Sequence, residues 1–394
     1  MPGIQSLFQS LFQPVKHLPA GIYHYQSPPS DPRNYRLHLR LEEDGTGILI
    51  INAATILHLN HTAAEYAYYL VQNVPAERAA QLMASRYQID RQQAAKDYTA
   101  FIERILTLIE TPDLDPVTFL GFDRYEPFSG SISAPYRLDC ALTYRVSSAA
   151  ISASPAEPAA EPVAPVDRVK RELSVEEWKL IIDKAWKAGV PHLVFTGGEP
   201  ALREDLPALI AHAETRDQVT GLITDGLRLG DPAYAQELLQ AGLDYVLIVL
   251  QEDDPQAWRA LDVLLPEDIF VGVHLTLSQA PVTPPQETIE KLSQRGVKAV
   301  SLSAAPGADP AILAAGRGRA ADLQLDLLWN LPVPYSHTNP VYFETQSAEL
   351  KAGAGRAWLY VEPDGDVLPA QGINKVMGNL LSDPWEKIWR QARQ

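Results

Sequence analysis

The chain has 394 residues, 33 Lys+Arg against 49 Asp+Glu, and a formal net charge of −16. At roughly 100–200 residues per domain this length fits two or three domains, and 46 % hydrophobic with 21 % charged residues excludes global disorder. The acidic balance and the lack of any Lys/Arg run exclude a general nucleic-acid binder, and one cysteine, Cys140, excludes an intramolecular disulfide and any Cys-based zinc site within the chain.

Residues 1–34 read as an N-terminal extension. MPGIQSLFQSLFQPVKHLPAG has no basic n-region and no cleavage site, so it is not a secretory signal. Ile4, Leu7, Phe8, Leu11 and Phe12 follow helical spacing. The short amphipathic helix they predict has no Lys or Arg within it, which favours docking on the protein's own surface over membrane contact. No run reaches the roughly 18 apolar residues of a membrane span. A cytoplasmic protein with no membrane partner is expected.

Residues 35–112 predict a small α+β domain. RLHLRLEED alternates, DGTG is a hairpin signal, and GILIINAATILHLN supplies two more strands. Helices are expected after the Asn60-His61-Thr62 cap, over Ala76 to Tyr87, and over Ala94 to Ile109. Three strands followed by three helices make a winged-helix-like unit. The run ILHLNHTAAEYAYYLVQNVPAERAAQLMASRYQIDRQQAAKDYTAFIERIL resembles PqqD-like peptide-recognition domains. That resemblance implies a peptide, or a partner protein, added as a strand near 55–59 beside the helix at 94–109. A winged helix used only for packing or dimerisation is the alternative.

A linker, 113–134, leads into residues 135–342, where strand and helix signals alternate. Strands are expected at 136–146, 192–196, 220–224, 244–250, 269–277 and 299–303. Helices are expected at Val175–Ala188, Glu204–Glu214, Pro232–Ala241, Pro255–Leu264, Pro285–Arg295 and Pro310–Arg317. The fold class is α/β: a parallel sheet in a partial (β/α)6 TIM-type barrel, with its working loops after the strands. From 343 to 394 the rhythm stops; AWLYVEPDGDVLP reads as a hairpin and a helix follows Pro384.

The most informative run is LVFTGGEPALREDLPALI, a strand, then Thr196-Gly197-Gly198-Glu199-Pro200, then a helix. Paired glycines allow close backbone approach and positive φ, and Glu199 offers an acceptor for an ammonium group. An ordinary turn is the plainer alternative. Together with LITDG and AGLDYVLIVLQ, the stretch resembles the radical S-adenosylmethionine (SAM) superfamily, and the C-terminal run GRAWLYVEPDGDVLPAQGINKVMGNLLSDPWEKIW resembles a SPASM-type tail of peptide-modifying members. The resemblance implies a SAM site built from Thr196, Gly197, Gly198, Glu199, Thr224, Asp225, Gly226 and Gln251, with Asp225 where the family often has Asn.

The resemblance also implies a Cys-x3-Cys-x2-Cys loop holding a [4Fe–4S] cluster, and this the chain lacks. Aligned on LTYR, the three positions fall on Val146, Ala150 and Ala153. Cys140 lies within the strand and reads as a small core residue. The tail has Leu368-Pro369-Ala370-Gln371 where relatives carry a cysteine. Residues 146–167, rich in Ala, Pro, Ser and Glu, read as a disordered loop of natural drift rather than engineered cysteine removal.

Other chemistry is sparse. His192 and His274 read as hydrogen-bonded core histidines, Glu252-Asp253-Asp254 as a solvated acidic loop, and Arg317 and Arg319 as loop cations. The expectation is a degenerate radical-SAM-like protein: no catalytic residue, no metal, no 4Fe-4S cluster, S-adenosylmethionine still open as a ligand. Its function would be a non-catalytic peptide- or partner-binding scaffold in a peptide-modification system. A radical SAM peptide-modifying enzyme and a cluster-free SAM-binding protein are the alternatives.

Overall fold

The computed structural model describes residues 17–28, 30–33, 35–52, 55–111, 132–147, 169–277, 284–305, 308–328, 331–333 and 353–393. The helix expected within 4–12, most of the linker 113–134, and the loop from 148 to 167 lie outside them. Two compact units, Met1–Ser133 and Ala134–Gln394, divide the chain.

The first unit is a four-stranded antiparallel sheet, β1 (Gly21–Gln26), β2 (Arg36–Leu41), β3 (Gly47–Ile51) and β4 (Thr55–Leu59), in sequence order. Three strands were expected; β1 is the fourth, inside the segment assigned to an extension. Its residues are only partly buried, so GIYHYQ shows no apolar alternation. Register with β2, from Gly21 opposite Leu41 to Gln26 opposite Arg36, makes it a strand. Leu37, Leu39, Leu49 and Ile51 bury one sheet face in a common core with Ala64, Met83, Tyr98 and Ile105 of helices α1 (His61–Val71), α2 (Ala76–Tyr87) and α3 (Arg91–Glu110). Helix α3 starts three residues before Ala94 because the Asp90 carboxylate accepts from the Gln92 and Gln93 N–H groups. Among the described residues strand β4 pairs with β3 alone and is a sheet edge.

The second unit holds a nine-stranded sheet. Six parallel strands run side by side in chain order: β5 (Arg137–Thr143), β6 (His192–Gly197), β7 (Val219–Thr224), β8 (Tyr245–Val249), β9 (Phe270–Leu277) and β10 (Ala299–Ala304). Connecting helices are α4 (Val175–Ala188), α5 (Leu206–Glu214), α6 (Pro232–Gln240), α7 (Pro255–Leu264), α8 (Pro285–Arg295) and α9 (Pro310–Asp322). Signals for their ends are local: a Ser174–Glu177 capping box opens α4, and Pro sits at the start of α6 to α9. This is the expected α/β partial barrel.

Three differences have physical causes. Helix α9 runs on to Asp322 rather than stopping at Arg317, and Arg319 pairs with Glu290 on α8 at 2.7 Å. Its Gly316 packs so close to the strands that a Cβ would lie 2.8 Å from Leu277 Cδ1. Strand β5 ends at Thr143, where a bulge shifts its register with β6. The tail is not a separate segment: β12 (Trp358–Val361) pairs parallel with β5, and β13 (Val367–Leu368) closes its hairpin. A short β11 (Asp326–Leu327) forms the other edge, and α10 (Trp385–Ala392) follows Pro384. Among the described residues no helix is long and apolar enough to cross a membrane.

Candidate functional site at the C-terminal ends of the strands

Strand β6 delivers the glycine pair. Gly197 has φ +121°, and a Cβ there would stand 2.2 Å from the Thr143 carbonyl oxygen; at Gly198 it would stand 2.1 Å from that of Arg145. The space cleared by both glycines is filled by the chain leaving β5. The Gly198 N–H donates to Thr143 O at 2.8 Å and the Glu199 N–H to Arg145 O at 2.7 Å. Both donors are therefore engaged within the protein.

Glu199 is 4 % exposed. Its Oε1 accepts from the Ala201 N–H and the Thr224 hydroxyl, each at 2.8 Å, and its Oε2 from the Asp225 N–H at 2.7 Å. Burial, and then the negative charge of Asp225, push its carboxyl well above the usual carboxylate range. The Thr224 hydroxyl accepts in turn from Gly226 N–H at 3.1 Å. Asp225 accepts from the Leu227 N–H at 2.9 Å and from the Ser147 hydroxyl. Glu199, Thr224, Asp225 and Gly226 are thus one hydrogen-bonded network, joined by Ser147, which the sequence did not single out.

Two expected members stand apart. Thr196 is fully buried, and its Oγ1 has no hydrogen-bond partner among the described residues. It alternates in phase with Val194, which packs with Ile223 and Leu247 on the inner face of the sheet. Thr224, by contrast, falls in the row opposite to Ile223, and its hydroxyl donates to Glu199 Oε1 at 2.8 Å. The Glu199 carboxylate therefore lies on the helix side of the strand ends and Thr196 on the inner side. Gln251 follows β8, where its carbonyl accepts from Asp254 N–H at 3.0 Å.

The inner face is polar in places. Arg137 pairs with Asp139 at 2.6 Å and lies over the Trp358 ring of the tail. His192 Nε2 meets the Tyr245 hydroxyl at 2.9 Å, and the Tyr245 ring occupies the place of a side chain at Gly221. His274 is 1 % exposed, its Nδ1 is 3.0 Å from Ser301 Oγ and its Nε2 3.0 Å from Ser303 Oγ. The hydrogen-bonded character expected for both histidines holds. The acidic loop after β8 is structural: Glu252 accepts from Thr288 at 2.7 Å, and Asp254 caps α7.

The family model described as "Radical SAM superfamily" matches residues 152–269. Over those residues the chain resembles a radical SAM domain. The PqqA peptide cyclase of Granulibacter bethesdensis is 43 % identical over 89 residues, 23 % of this chain and 24 % of that protein. The match thus spans about a quarter of that relative's length. The PqqA peptide cyclase of Streptomyces rochei is 26 % identical over 260 residues, 58 % of this chain and 71 % of that protein. SuiB of Streptococcus suis shares the fold: its S-adenosylmethionine-bound structure has TM-score 0.55 at 14 % identity, over 93 % of this chain and 88 % of that one. Its structure bound to the precursor peptide SuiA has TM-score 0.54 at 15 % identity, with the same coverage.

A radical SAM domain implies a [4Fe–4S] cluster, and the donor set here does not fit one. Such clusters take several thiolates, and this chain has one thiol. Cys140 is fully buried, and burial pushes its thiol far up, toward the protonated form. It alternates with Ala141, which packs against Tyr360 and Leu368 on the inner face, so Cys140 points to the helix layer. Val146 follows β5 as a partly buried residue; Ala150 and Ala153 lie outside the described residues.

The tail supplies contacts no local signal announced. The Tyr144 hydroxyl, just past β5, donates to Glu362 in the hairpin at 2.9 Å, across 218 residues of chain. The carboxylates of Glu362, Asp364 and Asp366 lie within 4.8 Å of one another. Each is tied into the turn or its neighbours: Asp364 accepts from the Asp366 N–H and Asp366 from the Asn379 amide.

Proposed function

We propose that this chain is a peptide-binding component of a cytoplasmic peptide-modification system whose radical SAM domain holds no iron–sulfur cluster and performs no radical chemistry. The carrying observation is the position of its single thiol: buried, on the helix side of β5, away from the loop ends where a cofactor would sit. Without the cluster there is no electron source for reductive cleavage of SAM, because that chemistry belongs to the cofactor. The names of the relatives, a PqqA peptide cyclase and SuiB bound to its precursor peptide, support a peptide as the partner. The PqqD-like first unit would receive it at the open edge of β4, Thr55–Leu59, beside α3. The same relatives support a radical SAM peptide-modifying enzyme as the competing reading, and metal content separates the two. Iron and sulfide below about one-tenth of a mole per mole after anaerobic purification are expected, and stoichiometric iron would sink the proposal. Peptide capture is tested with Leu57→Pro, which removes a backbone donor from β4.

One observation favours SAM binding without a cluster. The Thr196 hydroxyl is buried on the inner face and has no partner among the described residues, which suits a bound polar ligand. The other expected contacts fit less well, because the Gly198 and Glu199 N–H groups and the Glu199 carboxylate already have protein partners. Titration calorimetry with SAM tests this reading, with Thr196→Val as control. Affinity tighter than about 0.1 mM that the control loses would support it.

A further inference from the structure

The inner face of β9 and β10 holds a set of side chains that the SAM-site reading leaves unused. His274 and Thr276 project from β9, and Ser301 and Ser303 from the neighbouring positions of β10, where the register pairs Ser301 with His274 and Ser303 with Thr276. Burial grades along the set: His274 is 1 % exposed, Ser303 is half-buried and Thr276 is exposed. Ser303 therefore stands at the C-terminal lip of the sheet, where barrel folds place their chemistry. Its Oγ lies 3.0 Å from His274 Nε2, while Ser301 Oγ lies 3.0 Å from Nδ1 on the far side of the ring. Nucleophile, base and a third group orienting the base are in hydrogen-bond sequence.

We propose that Ser303 is a nucleophile activated by His274 for acyl transfer from a carboxylic ester or amide. With the imidazole proton on Nδ1 donated to Ser301, Nε2, which lies 3.0 Å from Ser303 Oγ and 3.4 Å from Thr276 Oγ1, accepts the Ser303 proton. The Ser303 oxygen bonds to the substrate carbonyl carbon, and its proton passes to Nε2. The bond to the leaving alcohol or amine then breaks, and Nε2 returns the proton to that group. Water hydrolyses the Ser303 ester by the same proton path, restoring the hydroxyl and releasing the acid. No oxidant or reductant is needed. Thr276 Oγ1, 3.4 Å from Ser303 Oγ, lies at the lip where the carbonyl would approach. Ser301 stands where a carboxylate stabilises the imidazolium in faster enzymes, so slow turnover is expected.

Treatment of the intact chain with a fluorophosphonate, followed by peptide mass spectrometry, tests this. The expected result is a phosphonyl adduct on Ser303, absent in Ser303→Ala and formed about a hundredfold more slowly in His274→Asn. Ser301→Ala, which leaves Ser303 and Nε2 in place, should slow labelling less and move its pH midpoint. Labelling of Ser303 no faster than that of the chain's other serines, or equal rates in His274→Asn, would overturn the proposal and leave a cross-strand polar ladder. If His274→Asn does not fold, the wild-type pH profile decides. A rate that rises as imidazole loses its proton supports activation, and a flat profile overturns it.

Discussion

The Glu199 carboxylate accepts a hydrogen bond from the Asp225 backbone at 2.7 Å while the Asp225 side chain, one carboxylate away, raises its affinity for a proton. The same contact that holds the ends of β6 and β7 together therefore brings the partly exposed Asp225 carboxylate beside the buried Glu199.

Removing the Asp225 charge should relieve that juxtaposition. A buried acid with a raised pKa adds stability that is full below its unfolded value and lost as pH rises through its folded value. Asp225→Asn lowers the folded value of Glu199, so it should stabilise the protein at pH 7–8, by up to about 1 kcal/mol, and by nothing near pH 4. Urea unfolding at the two pH values measures the difference. An equal effect at both would show that the charges do not interact.

Glu199→Ala should act first on folding rather than on ligand affinity. It leaves the Ala201 and Asp225 N–H groups and the Thr224 hydroxyl without their acceptor, a cost of about 2–4 kcal/mol. Glu199→Gln keeps acceptor capacity and should lose less. A drop in the urea midpoint for Ala that exceeds the drop for Gln is the expected pattern.

Gly198→Ala should be as damaging as a core deletion, because its Cβ would meet a backbone oxygen at 2.1 Å and no flexible side chain can yield. We expect a loss of about 2 kcal/mol or more in stability, read by thermal or urea unfolding. Tolerance of alanine would mean that residues 143–145 do not rest on the glycine pair.

Cys140 should be silent toward thiol reagents in the folded protein and react fully in denaturant, since burial keeps the thiol protonated. Rapid native reaction with an aromatic disulfide would place the thiol at the surface and reopen its use as a ligand.

His38 should make the first unit acid-sensitive. It is 3 % exposed, and burial, with His24 and Arg36 adding to it, holds its imidazole down to about 3. A depressed folded value means that the unfolded chain takes up the proton first. Stability present above the unfolded value near 6.5 is then lost as pH falls toward 3, by up to about 1.4 kcal/mol per pH unit. His38→Gln should flatten that slope in unfolding titrations between pH 7 and 4.

Much of the fold was legible because its signals are local. The bounds of α2, α4, α7 and α8 coincide with those read from Pro75, the Ser174 cap, Pro255 and Pro285, since a cap or an N-terminal proline acts within one turn. Strand β1 was not legible, because an edge strand with partly buried residues has no alternation to read, and α9 ran on through Gly318, past the Arg317 at which its sequence signal stops. The resemblance of the loops named Glu199, Thr224 and Asp225 as ligand contacts, not as partners of one another, and Ser147 and Tyr144 were missed, because their partners lie 78 and 218 residues away.

The alternation of strands and helices, the glycine loop after β6 and the single thiol are set by residue type and short-range spacing. Which side of the strands each group faces is set by assembly of the sheet. It sent Glu199 and Cys140 toward the helices, left Thr196 inside, laid residues 143–145 across the glycines and brought the tail hairpin onto β5. Those outcomes depend on register between strands, and register is a property of the assembled sheet that no single segment carries.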